Sequence, residues 1–275
     1  MKARQIRAMV RHDLLQLFHS PDYWIPMAIL GILFFVLVPV IVISSLNNLG
    51  QIESLQQLTQ AVEFLPEAAQ RQLPQNVPDS TRASFAVAVY LLSPVAIVVP
   101  LTISVAVGAS SIVGEREKGT GEFLAHSPMS TESIFIGKLI SAFIPGYLTT
   151  LGGFTLYSVL VNLLLMDDIG HVFFPTVPWL ILIFWVMPAF LMFGLSLILR
   201  ISARVKSVAA AQQASSLITL PLIFITYGQA SGSIIDVGWL PFILGAAFWA
   251  AALVSTVLGA KAMRRSRLLG VGNDF

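Results

Sequence analysis

Six stretches of the 275-residue chain, about 24–45, 84–113, 134–165, 178–199, 208–228 and 239–260, are long runs of predominantly apolar side chains. About 20 such residues in an α-helix span a hydrocarbon core about 30 Å thick. A bilayer core offers no water to backbone amides, so a helix, which closes its hydrogen bonds within itself, is the natural solution. A membrane β-barrel would instead show shorter segments of alternating polarity, whereas Val95–Val107 is nearly continuously apolar. Hydrophobic residues make up 56% of the chain and charged residues 11%, against about 25% charge in soluble domains. An ordinary cytosolic enzyme is excluded. The expected fold class is an all-α integral membrane protein with six transmembrane helices, forming one membrane domain over 1–275.

The first run is too long for a signal-peptide core and lacks a small-residue cleavage site, so it reads as a retained span. Six spans put both termini on one side, and the basic residues indicate that this side is the cytoplasm. With the termini inside, the cytoplasmic segments carry 14 basic and seven acidic residues, a net +7. The outer segments, chiefly the loop 46–82, carry two basic and seven acidic residues, a net −5. In that loop Ile52, Leu55, Leu58, Val62 and Leu65 recur at helical spacing, as in a short helix lying on the outer membrane surface. A total of 16 basic against 14 acidic residues gives no reason to expect a nucleic-acid partner. The absence of cysteine excludes disulfides and thiolate chemistry.

Two cytoplasmic elements stand out. In residues 1–20, Ile6, Met9, Val10, Leu14, Leu17 and Phe18 form an apolar stripe at helical spacing, with Arg4, Arg7 and Arg11 on the other side. Such a helix is expected in the inner interface, its stripe among acyl chains and its arginines near anionic lipid headgroups. Ser20-Pro21-Asp22 ends it. The second element, 114–133, joins the second and third spans. Glu115, Arg116, Glu117, Lys118 and Glu122 crowd its beginning and are expected to project into water or into another protein. Phe123 and Leu124 beside them suit a docking knob with an apolar anchor and a polar rim. Ser130-Thr131-Glu132 then opens the next helix as a cap.

The run Glu115-Arg116-Glu117-Lys118-Gly119-Thr120-Gly121-Glu122-Phe123-Leu124, followed by Pro128 and by Gly137-Lys138, resembles the permease subunits of type-2 ABC exporters. These carry Glu-Arg-Glu-x-Gly-Thr-x-Glu-x-Leu-x-x-x-Pro at this place and a Gly-Lys in the third span. The layout of the whole chain is similar, including the fifth span with Gln212, Gln213 and Pro221. The resemblance implies that Glu115 to Leu124 docks into a cleft on a separate cytoplasmic ATPase, where ATP and Mg would bind. It also implies a second permease copy or homologue as partner. Gly121 departs from the family's frequent leucine, and His126 from a small hydroxyl residue. A glycine costs a helix about 1 kcal/mol relative to alanine, so Gly121 is expected to soften the element. Glu115 and Glu117 would be favoured by a helix dipole if they began a helix.

No cofactor is expected on this chain. Gly137-Lys138 is followed by leucine and not preceded by the glycine of a phosphate-binding loop, and the four histidines lack metal-ligand spacing. Neither catalytic residues nor a metal site are predicted, and the chain is read as no enzyme. No Asp or Glu lies in the middle of a span, which disfavours proton coupling. Lys138 is expected to snorkel to the interface without a transport role. Gln212, Gln213 and Ser216 give the fifth span a polar stripe that packs against helices or lines a path. Pro94, Pro100 and Pro221 are candidate hinges or ordinary kinks.

The expected function is the permease of an ATP-driven exporter in the cell membrane, moving a hydrophobic or amphipathic substrate outward. The alternative is an ATP-independent membrane carrier or channel. A membrane enzyme and a scaffold without transport are further rivals. Substrate identity is not written in the residues.

Overall fold

The computed structural model describes residues 2–48, 74, 77–92, 95–117, 119–205, 207–214 and 239–263. Among these, every regular element is helical. Helix α1 (Lys2–His19) is separated from α2 (Pro21–Ile32) by Ser20 alone. Pro21 takes the first position of α2, where its missing N–H is no loss. A π-helical stretch, Leu33–Leu37, carries the chain into α3 (Val38–Asn48). Then come α4 (Asp79–Ala86), a second π-helical stretch at Val87–Leu91, and α5 (Val95–Glu117). The short α6 (Gly121–His126) precedes α7 (Thr131–Ile169), the longest helix at 39 residues. The elements α8 (Val177–Ile181), a π-helical Leu182–Val186 and α9 (Met187–Ser202) form one continuous rod. Residues 208–214 are helical, and α10 (Leu240–Ala262) is the last described helix.

Among the described residues, five stretches are long and apolar enough to cross a membrane: Trp24–Leu46, Val98–Glu115, Thr131–Ile169, Val177–Ser202 and Pro241–Ala262. They agree with five of the six expected spans. The remaining one, the expected fifth span 208–228, lies mostly outside the described residues, with Ser216 and Pro221. So do Pro94 and most of the loop 46–82.

Val98–Glu115 and Val177–Ser202 are mostly buried and form the centre, where Ile112, Leu195 and Leu199 pack with Ile134 and Leu139 of α7. The other three bury only 17–28% of their most apolar stretch. Ile29, Leu163 and Leu253 are each about 60% exposed or more, an arrangement that suits hydrocarbon as solvent and would be an aggregation hazard in water.

Within the expected span 84–113, the π-helical stretch ends at Leu91 and Leu92 lies in a turn. A π-helical stretch frees carbonyls from the usual ladder, and donors from other helices take them. Tyr157 donates its hydroxyl to Ala88 O at 2.5 Å, and the Trp179 indole donates to Val89 O at 2.8 Å. Phe154 and Phe174 pack around those two rings. The same region is closed by Asn162, which accepts from the N–H groups of Phe173 and Phe174 and donates to Phe174 O.

Candidate functional site

The charged connection between α5 and α7 is built as a helix end, a tight turn and a one-and-a-half-turn helix. Gly119 has φ of +72°, a left-handed conformation that L-residues with a side chain adopt at a cost, and so reverses the chain after α5. The Thr120 N–H then donates to Glu115 O at 2.9 Å, closing the six-residue loop that typically ends a helix on glycine. The Thr120 hydroxyl donates to the same carbonyl at 3.1 Å and also to the Glu115 carboxylate. Gly-Thr in this motif is therefore a C-terminal cap. At the far end Ser130 accepts from the Ser133 N–H at 3.2 Å, the cap expected for α7.

Glu115 and Glu117 lie in the last turn of α5, not at a helix start, so the dipole disfavours both carboxylates there and they need other partners. Glu115 turns inward. Its Oε1 lies 3.2 Å from Lys138 Nζ, and the same ammonium is 3.5 Å from Asp13 Oδ2 of α1. Lys138 is 1% exposed and Asp13 7%. The expectation that Lys138 snorkels to solvent is overturned: its ammonium has carboxylates from two other helices within reach in the interior, which relieves the penalty of burying it. Ser141 donates to Asp13 Oδ2 at 3.1 Å, and His12 Nδ1 is 3.4 Å from Asp13 Oδ1. Beside the triad is a cavity of about 50 Å³ lined in part by Gln16, Ser110 and Ser111, polar and roomy enough for water.

α1 rests on α7 as well as on this ion triad. A Cβ on Gly137 would lie 2.8 Å from both Cβ and Cγ of Met9, so glycine is what allows the two helices to approach this closely. Gln5 adds polar ties, donating to Pro128 O at 3.3 Å and accepting from the Ser133 hydroxyl at 3.3 Å. The apolar stripe of α1 is thus largely covered by protein where acyl chains were expected: Met9 is buried and Ile6, Val10, Leu14 and Leu17 are half-buried. Leu15 and Phe18 remain exposed.

The other predicted residues separate clearly. Arg4, Arg7 and Arg11 are exposed on the opposite side of α1, and Glu117, Gly119, Thr120, Glu122 and Pro128 are exposed along the connection. Glu117 accepts from the Val208 N–H at 3.0 Å, which ties the connection to the start of the expected fifth span. Arg116 is in α5, and Phe123 and Leu124 are in α6, while the side chains of these three and the whole of Lys118 lie outside the described residues. Gly121 is the first residue of α6 and is buried, so it begins the helix and does not weaken a helix interior. Pro100 is buried within α5. Gln212 and Gln213 are exposed in the helical segment 208–214.

Asp13, Ser141, Gln5 and the backbone of Val208 were not singled out from the sequence. One signal was present. Asp13 lies on the same stripe as Ile6, Met9, Val10 and Leu17, and a carboxylate on the apolar face of a helix needs a partner. Lys138, one turn and a half into an apolar span, is the matching cation.

The profile of the ABC-2 family transporter proteins matches residues 7–259. The chain belongs to this family. It is accordingly a multi-pass membrane component of an ABC transporter, and permeases of this family work with an ATPase subunit. No curated protein matched the chain. Within the permease, the family match runs through α1 from Arg7 onward and through the whole triad, so the buried ion cluster is part of the transporter domain proper.

Proposed function

We propose that this permease is the membrane-spanning half of an ATP-driven exporter that moves a hydrophobic or amphipathic substrate out of the cytoplasm. Two copies, or one copy and a homologue, pair in the cell membrane with their termini in the cytoplasm, and two ATPase subunits bind below. ATP and Mg belong to those subunits. Residues 114–133 meet the ATPase, with the exposed arginines of α1 as a second contact or as a grip on anionic headgroups.

The observation that carries this reading is the construction of the connection. A capped turn and a short helix, with Glu117 and Glu122 exposed, are bonded at both ends to long helices. An element so anchored transmits displacement to the spans instead of absorbing it, provided its docked states differ in energy.

Co-purification with the ATPase tests the proposal. Glu117→Ala combined with Leu124→Ala should reduce ATPase binding and ATP-driven transport, and undiminished values would refute the docking role. Topology is tested separately in the cysteine-free chain by placing one cysteine at position 118. Its labelling by a membrane-impermeant reagent from outside intact cells would refute the orientation.

A further inference from the structure

We infer that Lys138 is a positioning residue for energy coupling: its buried ammonium joins Asp13 of α1 and Glu115 of the coupling connection, so that α1, the end of α5 and the start of α7 move as one body. The inference rests on the reading of 114–133 as the ATPase contact, and it adds a residue on a different helix that holds this contact in place.

The argument begins with what each group would lose alone. A lysine ammonium at 1% exposure is tolerated only with partners. Here it has two carboxylates, 3.2 Å and 3.5 Å away, from segments separated from it by 23 and 125 residues. Lifting α1 off α7 would remove Asp13 and leave Lys138 with Glu115 alone. Withdrawing the end of α5 would remove Glu115 and leave it with Asp13. Either displacement strips a buried charge of a partner, which is among the more expensive single events in a protein interior. The positions of α1 and of the connection are thereby linked through one atom, Lys138 Nζ.

Packing supports the same joint. One residue earlier, Gly137 lets Met9 approach α7, and one turn later Ser141 donates to Asp13. Gln5 reaches both Pro128, at the end of the connection, and Ser133, in the first turn of α7. Three successive turns of α7 therefore grip α1 with different chemistry, and the lysine extends that grip to Glu115. Thr120, which caps α5, binds the other oxygen of the same Glu115 carboxylate. The carboxylate thus connects the turn that faces the partner to the ammonium inside. His12 lies beside Asp13, and a small polar cavity adjoins the cluster.

The test uses the full permease with its ATPase in lipid, carrying Gln5→Cys and Ser133→Cys, which are the chain's only cysteines. A short thiol crosslinker reads whether α1 lies on α7. ATP hydrolysis per purified complex reads coupling. Lys138→Met should lower both crosslinking and hydrolysis, the latter roughly tenfold, a size typical of coupling between linked sites. Lys138→Arg, which keeps the charge, should retain most of each. A third variant separates positioning from stability: Asp13→Asn with Glu115→Gln and Lys138→Met removes every charge of the triad. It should recover the yield of folded protein and ATPase binding while hydrolysis and crosslinking stay low.

If Lys138→Met leaves both readings within about twofold of the parent, inside the range of ordinary surface changes, the inference fails. It fails equally if the neutral triple variant recovers hydrolysis along with yield. Should no ATPase bind the parent chain, the functional reading falls and the coupling role with it. The crosslink comparison then still decides whether Lys138 holds α1 in place.

Discussion

Glu115 and Glu117 are two residues apart in the last turn of α5 and serve different partners. Glu115 is paired with Lys138 inside the bundle, while Glu117 is exposed and accepts the backbone N–H of Val208 at 3.0 Å. One carboxylate fixes the connection to the third span and the other fixes it to the beginning of the helical segment 208–214. The acidic pair of the motif is therefore two tethers with separate consequences.

Replacing Glu117 by alanine removes an acceptor from the first turn of a helix, a loss of about 1 kcal/mol by analogy with N-cap deletions. The apparent unfolding midpoint of the purified permease should fall slightly. Glu117→Gln, whose amide oxygen can still accept, should fall less. Equal midpoints for the two variants would show that the bond to Val208 is not stabilising.

The triad predicts an order of stabilities. Lys138→Met leaves buried Asp13 and half-buried Glu115 without their base and should destabilise by about 3–5 kcal/mol, the range seen when one partner of a buried pair is removed. Glu115→Gln leaves Lys138 still paired with Asp13 and should cost less. Thermal unfolding in detergent, followed by loss of monodisperse protein, gives the order, and a reversed order would contradict the pairing.

Gly137→Ala places a methyl group 2.8 Å from Met9 Cβ and Cγ. The overlap forces α1 away from α7 at a cost of about 1–3 kcal/mol, as in other overpacked contacts. Exposed Arg7 and Arg11 make trypsin a convenient probe. Cleavage within α1 should accelerate in the variant. Adding Met9→Ala, which removes Cγ but keeps Cβ, should restore protection in part.

At the π-helical stretch Val87–Leu91, Tyr157→Phe removes the hydroxyl that serves Ala88 O at 2.5 Å. A buried acceptor left unserved costs about 1–3 kcal/mol. Hydrogen exchange should rise at residues 87–91 and stay unchanged in α1. A uniform rise over both would point to general loosening instead of the loss of one bond.

Much of the fold is legible along the chain because its causes are local. Five spans fall where their apolar runs lie, the Ser130 cap follows from a serine before a helix, and the break at Ser20-Pro21 follows from proline's missing donor. The motif from Glu115 to Pro128 pointed correctly to the family. For Glu115 it misled about direction: the five nearby charges were expected to project into water or into another protein, whereas Glu115 is drawn inward by a lysine 23 residues away. Lys138 departs from expectation for the same reason, since an isolated span offers its lysine only the interface.

What the residues determined by themselves is a membrane-embedded helical chain, because apolar length and helical hydrogen bonding are properties of each segment alone. What only the tertiary structure decided is which polar groups meet. Asp13 and Lys138 are 125 residues apart, and Tyr157 and Ala88 are 69 apart. A buried charge or a freed carbonyl demands a partner without specifying which one. The packing of α1, α5 and α7 supplies it.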